Sequence, residues 1–160
     1  MIAWILFAAV STASVNASFP QEILAAHNRY RSAVGVASLA WSADLARSAQ
    51  RWADALSANL QFKHDPRNHT QGENIWMGTA GMFTLTEMVD GWGSERRYFH
   101  NGTFPDVSTT GNWFDVGHYS QMVWRATTSV GCGGATGDDG YYRLVCRHSP
   151  HGNVIGERVF

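Results

Sequence analysis

Apolar residues recur at helical spacing in two stretches of the first third of the chain. One stripe begins after Pro20, which the first turn of a helix tolerates, and comprises Ile23, His27, Tyr30 and Val34. A second stripe follows Ser42, a good N-cap, and comprises Leu45, Ala49, Trp52 and Leu56. The pattern therefore predicts two amphipathic helices, the second ending near Asn59.

The middle of the chain predicts a loop, a short strand and a third helix. The segment KHDPRNHTQGEN is polar and contains proline and glycine, which is typical of a loop, and strand-like residues 74–78 follow it. Thr84 and Glu87 have the spacing of a capping box, and the stripe that follows comprises Leu85, Met88, Trp92, Glu95 and Phe99. One member of this stripe, Glu95, is a carboxylate.

The last third predicts a long surface loop, a short helix and a hairpin. Residues 99–116 carry turn residues and aromatic side chains without a regular period, and residues 117–124, GHYSQMVW, predict the short helix. Two runs of β-forming residues, 127–133 and 141–148, flank a turn rich in glycine and aspartate. Helices mixed with antiparallel strands predict an α/β fold in which helices cover a sheet.

Length and charge narrow the class of protein. The chain has 160 residues and a net charge of −1, which fits one domain, and no run of Lys or Arg is long enough to attract nucleic acid. The first residues, MIAWILFAAVSTASVNA, form an apolar run with small residues after it. This pattern predicts a secretory signal peptide over residues 1–17, and a single extracellular, monomeric domain over residues 18–160.

Secretion changes the interpretation of the two cysteines and of two sequons. Cys132 and Cys146 flank the hairpin turn, and oxidising conditions favour a disulfide between them; a buried reduced pair is the alternative if the chain is not exported. Asn68 and Asn101 begin Asn-x-Thr triplets and are candidate glycosylation sites.

The titratable residues predict a polar cavity. A carboxylate on the core face of a helix, such as Glu95, needs a cation, a metal or strong hydrogen-bond donors, because desolvation of the charge is costly. Its candidate partners are His64, His69, His118 and Arg125. A second carboxylate, Glu73, precedes the predicted strand. Of the remaining histidines, His27 is interpreted as a satisfied core residue, and His148 and His151 are predicted at the surface.

Seven motifs occur in one order along residues 18–160: AAHNRYR, LAWSADLARSAQRWA, FKHD, GENIW, GWGSERRYF, GHYSQMVWRATTSVGCG and LVCRHSPHGNVIGE. Through them the chain resembles the superfamily of cysteine-rich secretory proteins, venom antigens and pathogenesis-related proteins, the CAP domain. The resemblance implies a three-layer α/β/α sandwich with a mainly antiparallel central sheet. It also implies that the family's cavity tetrad consists of His64, Glu73, Glu95 and His118.

The tetrad suggests a divalent-metal site. His64 and His118 would bind the ion through ring nitrogens, with Glu73 and Glu95 in support, and nitrogen ligands favour zinc. The alternative is a hydrogen-bonded ionic network that holds the helices to the sheet.

The resemblance, closest to fungal secreted sterol-binding pathogenesis-related-like proteins, also implies lipid binding. Fungal relatives bind sterols through an aromatic loop before the GH motif, and fatty acids in a groove between helices. Here that loop supplies Tyr98, Phe99, Phe104, Trp113 and Phe114, although the same rings could instead pack the loop against the core.

We therefore expect a protein that binds a sterol or fatty acid and acts in host interaction or defence, at a host or membrane-surface target. A metal-dependent protease or other hydrolase that uses the same cleft is the alternative. The helical H-E-x-x-H motif and a G-x-S-x-G elbow are both absent from the sequence, so a non-enzymatic role is the stronger expectation.

Overall fold

The computed structural model describes residues 18–160, so the predicted signal peptide lies outside the described residues. Four α-helices occur in this part of the chain: α1 (Phe19–Ala33), α2 (Ala43–Ala58), α3 (Leu85–Gly93) and α4 (Gly117–Met122). Two 3-10 helices cover Ser94–Tyr98 and Trp113–Asp115. The strands are β1 (Ala40–Trp41), β2 (Gly72–Thr79), β3 (Ser129–Thr136) and β4 (Tyr141–Ser149).

Two predicted helix starts are confirmed by their caps. The Ser42 hydroxyl accepts the backbone N–H of Leu45 at the start of α2. At α3, Thr84 accepts the N–H of Glu87, and the Glu87 carboxylate accepts the N–H of Thr84. Such caps satisfy N–H groups that have no partner inside the helix, so they fix where each helix begins.

The central sheet has the order β1-β3-β4-β2. Strand β4 pairs antiparallel with both β2 and β3, while the two-residue strand β1 adds a parallel edge to β3. Helix α2 packs on one face of the sheet, and α1, α3 and α4 pack on the other face. Each face has its own apolar cluster beneath the helices. The three-layer sandwich with a mainly antiparallel sheet is therefore confirmed, and the sheet is mixed because of β1.

Helix α2 lies unusually close to β3 because two glycines face it. A Cβ atom at Gly131 would come within 2.3 Å of the Ala46 backbone nitrogen, and one at Gly133 within 2.5 Å of the Gln50 Cα. Any side chain would push the helix away from the sheet. Between these glycines, Cys132 lies directly opposite Cys146 on β4, and the predicted disulfide joins them.

Two predicted elements differ from the structure. Helix α3 ends at Gly93, where the chain tightens into a 3-10 helix, because glycines 91 and 93 weaken the helix and Gly93 packs against the Tyr30 ring. Residues 99–116 are not simply a surface loop: Phe104 and Val107 are buried in the core, and a bridge between Thr103 and Arg158 ties the segment to the C-terminus.

Candidate functional site

A cavity of about 250 Å³ opens where β2, α4 and the segment before α4 meet. It is lined by His64, Glu73, Asn74, Trp113, Phe114, Gly117, His118 and Asn153. These residues define the cleft. Three members of the predicted tetrad therefore line one cavity, and the fourth, Glu95, contacts His118 from outside the lining.

One side of the cleft, the His118 half, consists of His118, Glu95 and Trp92. Glu95 Oε1 lies 2.6 Å from His118 Nδ1, and Oε2 accepts the backbone N–H groups of His118 and Tyr119, each at 3.0 Å. The His118 ring stacks on Trp92 at a centroid distance of 6.1 Å. The partners that Glu95 needs are therefore a histidine and two backbone donors at the start of α4.

The opposite side, the His64 half, consists of His64, Glu73, Asp65 and Arg147. Glu73 Oε1 lies 2.5 Å from His64 Nδ1 and accepts the backbone N–H of Asp65 at 3.0 Å. Glu73 Oε2 forms an ion pair with the Arg147 guanidinium at 3.0 Å, and Arg147 also donates to Asp65. The His64 side chain is 63% exposed, whereas that of Glu73 is only 5% exposed.

The carboxylates determine which ring nitrogens are free. An ionised carboxylate only accepts hydrogen bonds, so Nδ1 of each neutral histidine must carry the proton. The lone pairs of His64 Nε2 and His118 Nε2 then remain available. Among residues 18–160 no group of three His, Cys, Asp or Glu side chains is placed to hold a metal, so an ion in the cleft would have these two nitrogens as its protein donors.

The five predicted lipid-binding aromatics do not form one surface. Trp113 and Phe114 stack at 3.9 Å and line the cleft, with Phe114 69% exposed. Phe104 is buried against Trp113 and Trp124, and Phe99 packs against Tyr119. Tyr98 is exposed but lies under the Arg97 guanidinium, away from the cleft lining. Phe99 and Phe104 therefore pack the segment against the core, and only the Trp113–Phe114 pair meets the cleft.

A column of buried rings continues inward from the His118 half. The Trp92 ring meets His27 edge-on, and His27 lies 5.5 Å from His148 between ring centroids. Burial lowers the pKa of His27 to about 4, although its ring bonds the Ile23 carbonyl. Burial, with His27 and Arg31 nearby, holds the pKa of His148 well below its usual value. His148 is fully buried, so its predicted surface position is wrong.

The asparagines of the two sequons differ in exposure and in the hydrogen bonds of their side-chain amides. Asn68 is half-buried, and its side chain bonds the backbone N–H and C=O of Gln71. Asn101 is exposed, and its side chain bonds the backbone of Phe160. Glycosylation at either position stays a prediction.

Comparison with known proteins agrees with this architecture. Residues 24–147 match the family described as CAP, cysteine-rich secretory protein family. Pathogenesis-related protein 1B of Nicotiana tabacum is 34% identical over 157 residues, covering 98% of this chain and 89% of that protein. Pathogenesis-related leaf protein 4 of Solanum lycopersicum is 36% identical over 141 residues, covering 88% of this chain and 83% of that protein.

Among solved structures, BmVAL-1 superposes with a TM-score of 0.75 at 26% identity, over 94% of this chain and 85% of that one. Within residues 18–160 there is no helix with the length and apolarity that a membrane span requires. The match over residues 24–147, together with relatives above 30% identity along nearly the whole chain, means that this protein belongs to the CAP family of cysteine-rich secretory proteins.

Proposed function

We propose that this CAP protein is a secreted, defence-related binding protein whose cleft holds a divalent cation. Secretion and a defence role accord with the family description and with relatives named as pathogenesis-related proteins. The observation that carries the metal assignment is the pairing of each cleft histidine with its own glutamate through Nδ1. Metal-binding histidines commonly donate their second N–H to a carboxylate in this way.

The donor set favours zinc. Two imidazole nitrogens suit zinc better than calcium or magnesium, which prefer oxygen ligands, and water or a bound ligand would complete the coordination. His64 and His118 would hold the ion, and Glu73 and Glu95 would keep the rings oriented. A bound zinc ion supplies Lewis-acid chemistry, so the hydrolase alternative uses the same residues.

Binding is better supported than hydrolysis by the rest of the cleft. Ser120 follows His118 by two residues. Its hydroxyl is buried and donates to the Asn153 side chain, so it is not paired with the histidine as a nucleophile. The side chains that line the cleft include none from serine, threonine, cysteine or lysine. A covalent mechanism that starts from a hydroxyl, thiol or lysine amine therefore has no candidate nucleophile among the lining residues.

The stacked pair Trp113–Phe114 favours lipid binding as a second function. Phe114 offers a largely exposed ring at the edge of the cleft. The cavity, at about 250 Å³, is smaller than the roughly 300 to 1,000 Å³ of pockets that enclose drug-sized ligands. A sterol or fatty acid would therefore lie partly over the Phe114 ring instead of being enclosed.

Calorimetric titration of zinc into chelator-treated protein tests the metal site. The wild-type protein should bind zinc at pH 7.5 and bind it far more weakly at about pH 5, because protons compete for imidazole lone pairs. His118→Ala should lose tight binding. His100→Ala is the matched control, because that exposed histidine pairs with Asp106 outside the cleft. An unchanged isotherm for His118→Ala would leave the tetrad as a structural network.

A further inference from the structure

Arg147 is a buried cation beside the cleft. Its side chain is 1% exposed, and its Nη2 atom lies 3.0 Å from both Asp65 Oδ2 and Glu73 Oε2. A guanidinium removed from water is costly unless carboxylates compensate it, and here one nitrogen serves two of them. Burial opposes ionisation of Asp65, but hydrogen bonds from Arg67 and Arg147 outweigh it and lower the pKa of this carboxyl.

The strand pairing brings this cation to the cleft. Arg147 on β4 lies directly opposite Glu73 on β2, so their side chains leave the same face of the sheet as neighbours. The Arg147 contact to Glu73 Oε2 lacks the geometry of a hydrogen bond, so charge holds this oxygen. The other oxygen, Oε1, binds the His64 ring and the backbone N–H of Asp65.

His64 depends on this carboxylate more than His118 depends on its own. The His64 ring is 63% exposed, and its contact with Glu73 is the hydrogen bond that the structure gives it among residues 18–160. His118 has Glu95 and also stacks on Trp92. Whatever fixes Glu73 therefore also fixes the one hydrogen-bond partner that the His64 ring has within residues 18–160.

We infer that Arg147 is a positioning residue of the cleft: its guanidinium fixes the Glu73 carboxylate, which holds His64 in the Nδ1–H tautomer with Nε2 free. This inference rests on the proposed metal site for its purpose, but the tautomer is a property of the metal-free protein. A role in stability alone would make no difference to the His64 tautomer.

Arg143 provides a matched control on the same strand. Its side chain is 2% exposed and faces the same side of the sheet, but it binds Asp139 and the Gln61 carbonyl, away from the cleft. Replacing either arginine by glutamine removes a buried guanidinium from β4. Only the replacement of Arg147 removes a contact to Glu73.

The experiment compares Arg147→Gln, Arg147→Lys and Arg143→Gln by two measurements. Two-bond proton–nitrogen NMR spectra of metal-free protein report the His64 tautomer, and calorimetry reports zinc affinity. Arg147→Gln should lose the Nδ1–H preference and about 10 to 100-fold in affinity, as expected when the partner of a ligand is disturbed. Arg147→Lys keeps a positive charge beside Glu73 and should retain the tautomer, and Arg143→Gln should match wild type.

A folded Arg147→Gln protein with the wild-type His64 tautomer would overturn the inference, as would loss of that tautomer in Arg143→Gln or in Arg147→Lys. If Arg147→Gln does not fold, the double variant Arg147→Gln/Asp65→Asn removes one charge of each sign and carries the same expectation. If wild type binds no zinc but Arg147→Gln still changes the tautomer, the metal proposal fails while the positioning role of Arg147 stands.

Discussion

The two halves of the cleft hold a histidine in the same way but build its support differently. In the His118 half, the glutamate is fixed by two backbone N–H groups at the start of α4, and the ring rests on Trp92. In the His64 half, the glutamate is fixed by one backbone N–H group, that of Asp65, and by a buried arginine, and the ring is mostly exposed. The His118 half thus has two backbone donors and a stacked ring, whereas the His64 half has one backbone donor and an ion pair that depends on Arg147.

This difference assigns unequal parts to the two histidines. His118 is supported from two directions and is 32% exposed, so it would be the more rigid donor of the proposed metal site. Within residues 18–160 the His64 ring has one hydrogen bond, to Glu73, so it would be the more exchangeable donor of that site. An open site with one rigid and one exchangeable nitrogen would bind its ion reversibly, and the predictions below test that asymmetry.

Acid should produce the largest effect, through the rings beneath the His118 half. The pKa of His27 is lowered from 6.5 to about 4, so the unfolded state binds more protons between these values. The contribution of neutral His27 to the free energy of unfolding is fully present above about pH 6.5. It decreases by about 3 kcal/mol as the pH falls toward 4.

Urea denaturation between pH 7.5 and 4.5 measures this loss. His148→Leu, which removes one buried imidazole, should give a shallower pH dependence than wild type. The lowered pKa values of Asp65 and Asp139 do not interfere, because their contributions are lost only below about pH 4. If the free energy of unfolding of the wild type did not change from pH 6.5 to 4.5, His27 and His148 would bind protons as readily in the folded state as in the unfolded state. That result would contradict the prediction.

Replacing each of the two glutamates should have an intermediate effect, on zinc affinity, and the two losses compare the halves of the cleft directly. Glu73→Gln and Glu95→Gln should each weaken zinc binding by about 10 to 100-fold. The loss should be nearer 100-fold for Glu73→Gln, because the His64 ring has no second hydrogen bond or stacked ring within residues 18–160. It should be nearer 10-fold for Glu95→Gln, because the His118 ring still stacks on Trp92. Calorimetry on both variants at pH 7.5 measures the order, and the reverse order would contradict the assignment of His118 as the rigid donor.

The smallest effect on stability should come from the aromatic wall beside His118, which is the stacked pair Trp113–Phe114. Phe114→Ala should change the free energy of unfolding by less than about 0.5 kcal/mol, because the ring is 69% exposed. The same variant should weaken sterol binding if the wall contacts the lipid. Phe83→Ala is the control, since Phe83 is also exposed but packs on Trp76 away from the cleft. Equal sterol binding by both variants and wild type would remove the wall from lipid recognition.

The sequence predicted the helices and the need of Glu95 for a partner more reliably than it predicted the neighbours of Glu73. Helices α1 and α2 follow periodic stripes with local caps, which are short-range signals. The role of Arg147 depends on which residue of β2 lies opposite it, and strand register is set by long-range packing. The sequence shows only that Arg147 is a charged residue within the largely apolar run LVCRH, and this does not identify its partner.

The burial of His148 could have been predicted from the alternation of residues along its own strand. Leu144, Cys146 and His148 alternate along β4, and all three are buried on the face opposite α2. The nearby Pro150 and the position close to the C-terminus suggested an exposed residue instead. The two-residue strand β1 was not recoverable, because two residues carry no period and its parallel pairing to β3 joins distant segments.

The glycines of β3 constrain how this chain can diverge. Backbone atoms of α2 fill the space that a side chain would need at Gly131 and Gly133, so no compensating change of side chain on α2 can make room there. The distance between α2 and β3 is therefore set by backbone contacts, and keeping it requires glycine at both positions. In the cleft, by contrast, the contacts of His64 and His118 to their glutamates join side chains, so a substitution there can change the site without changing the spacing of the layers.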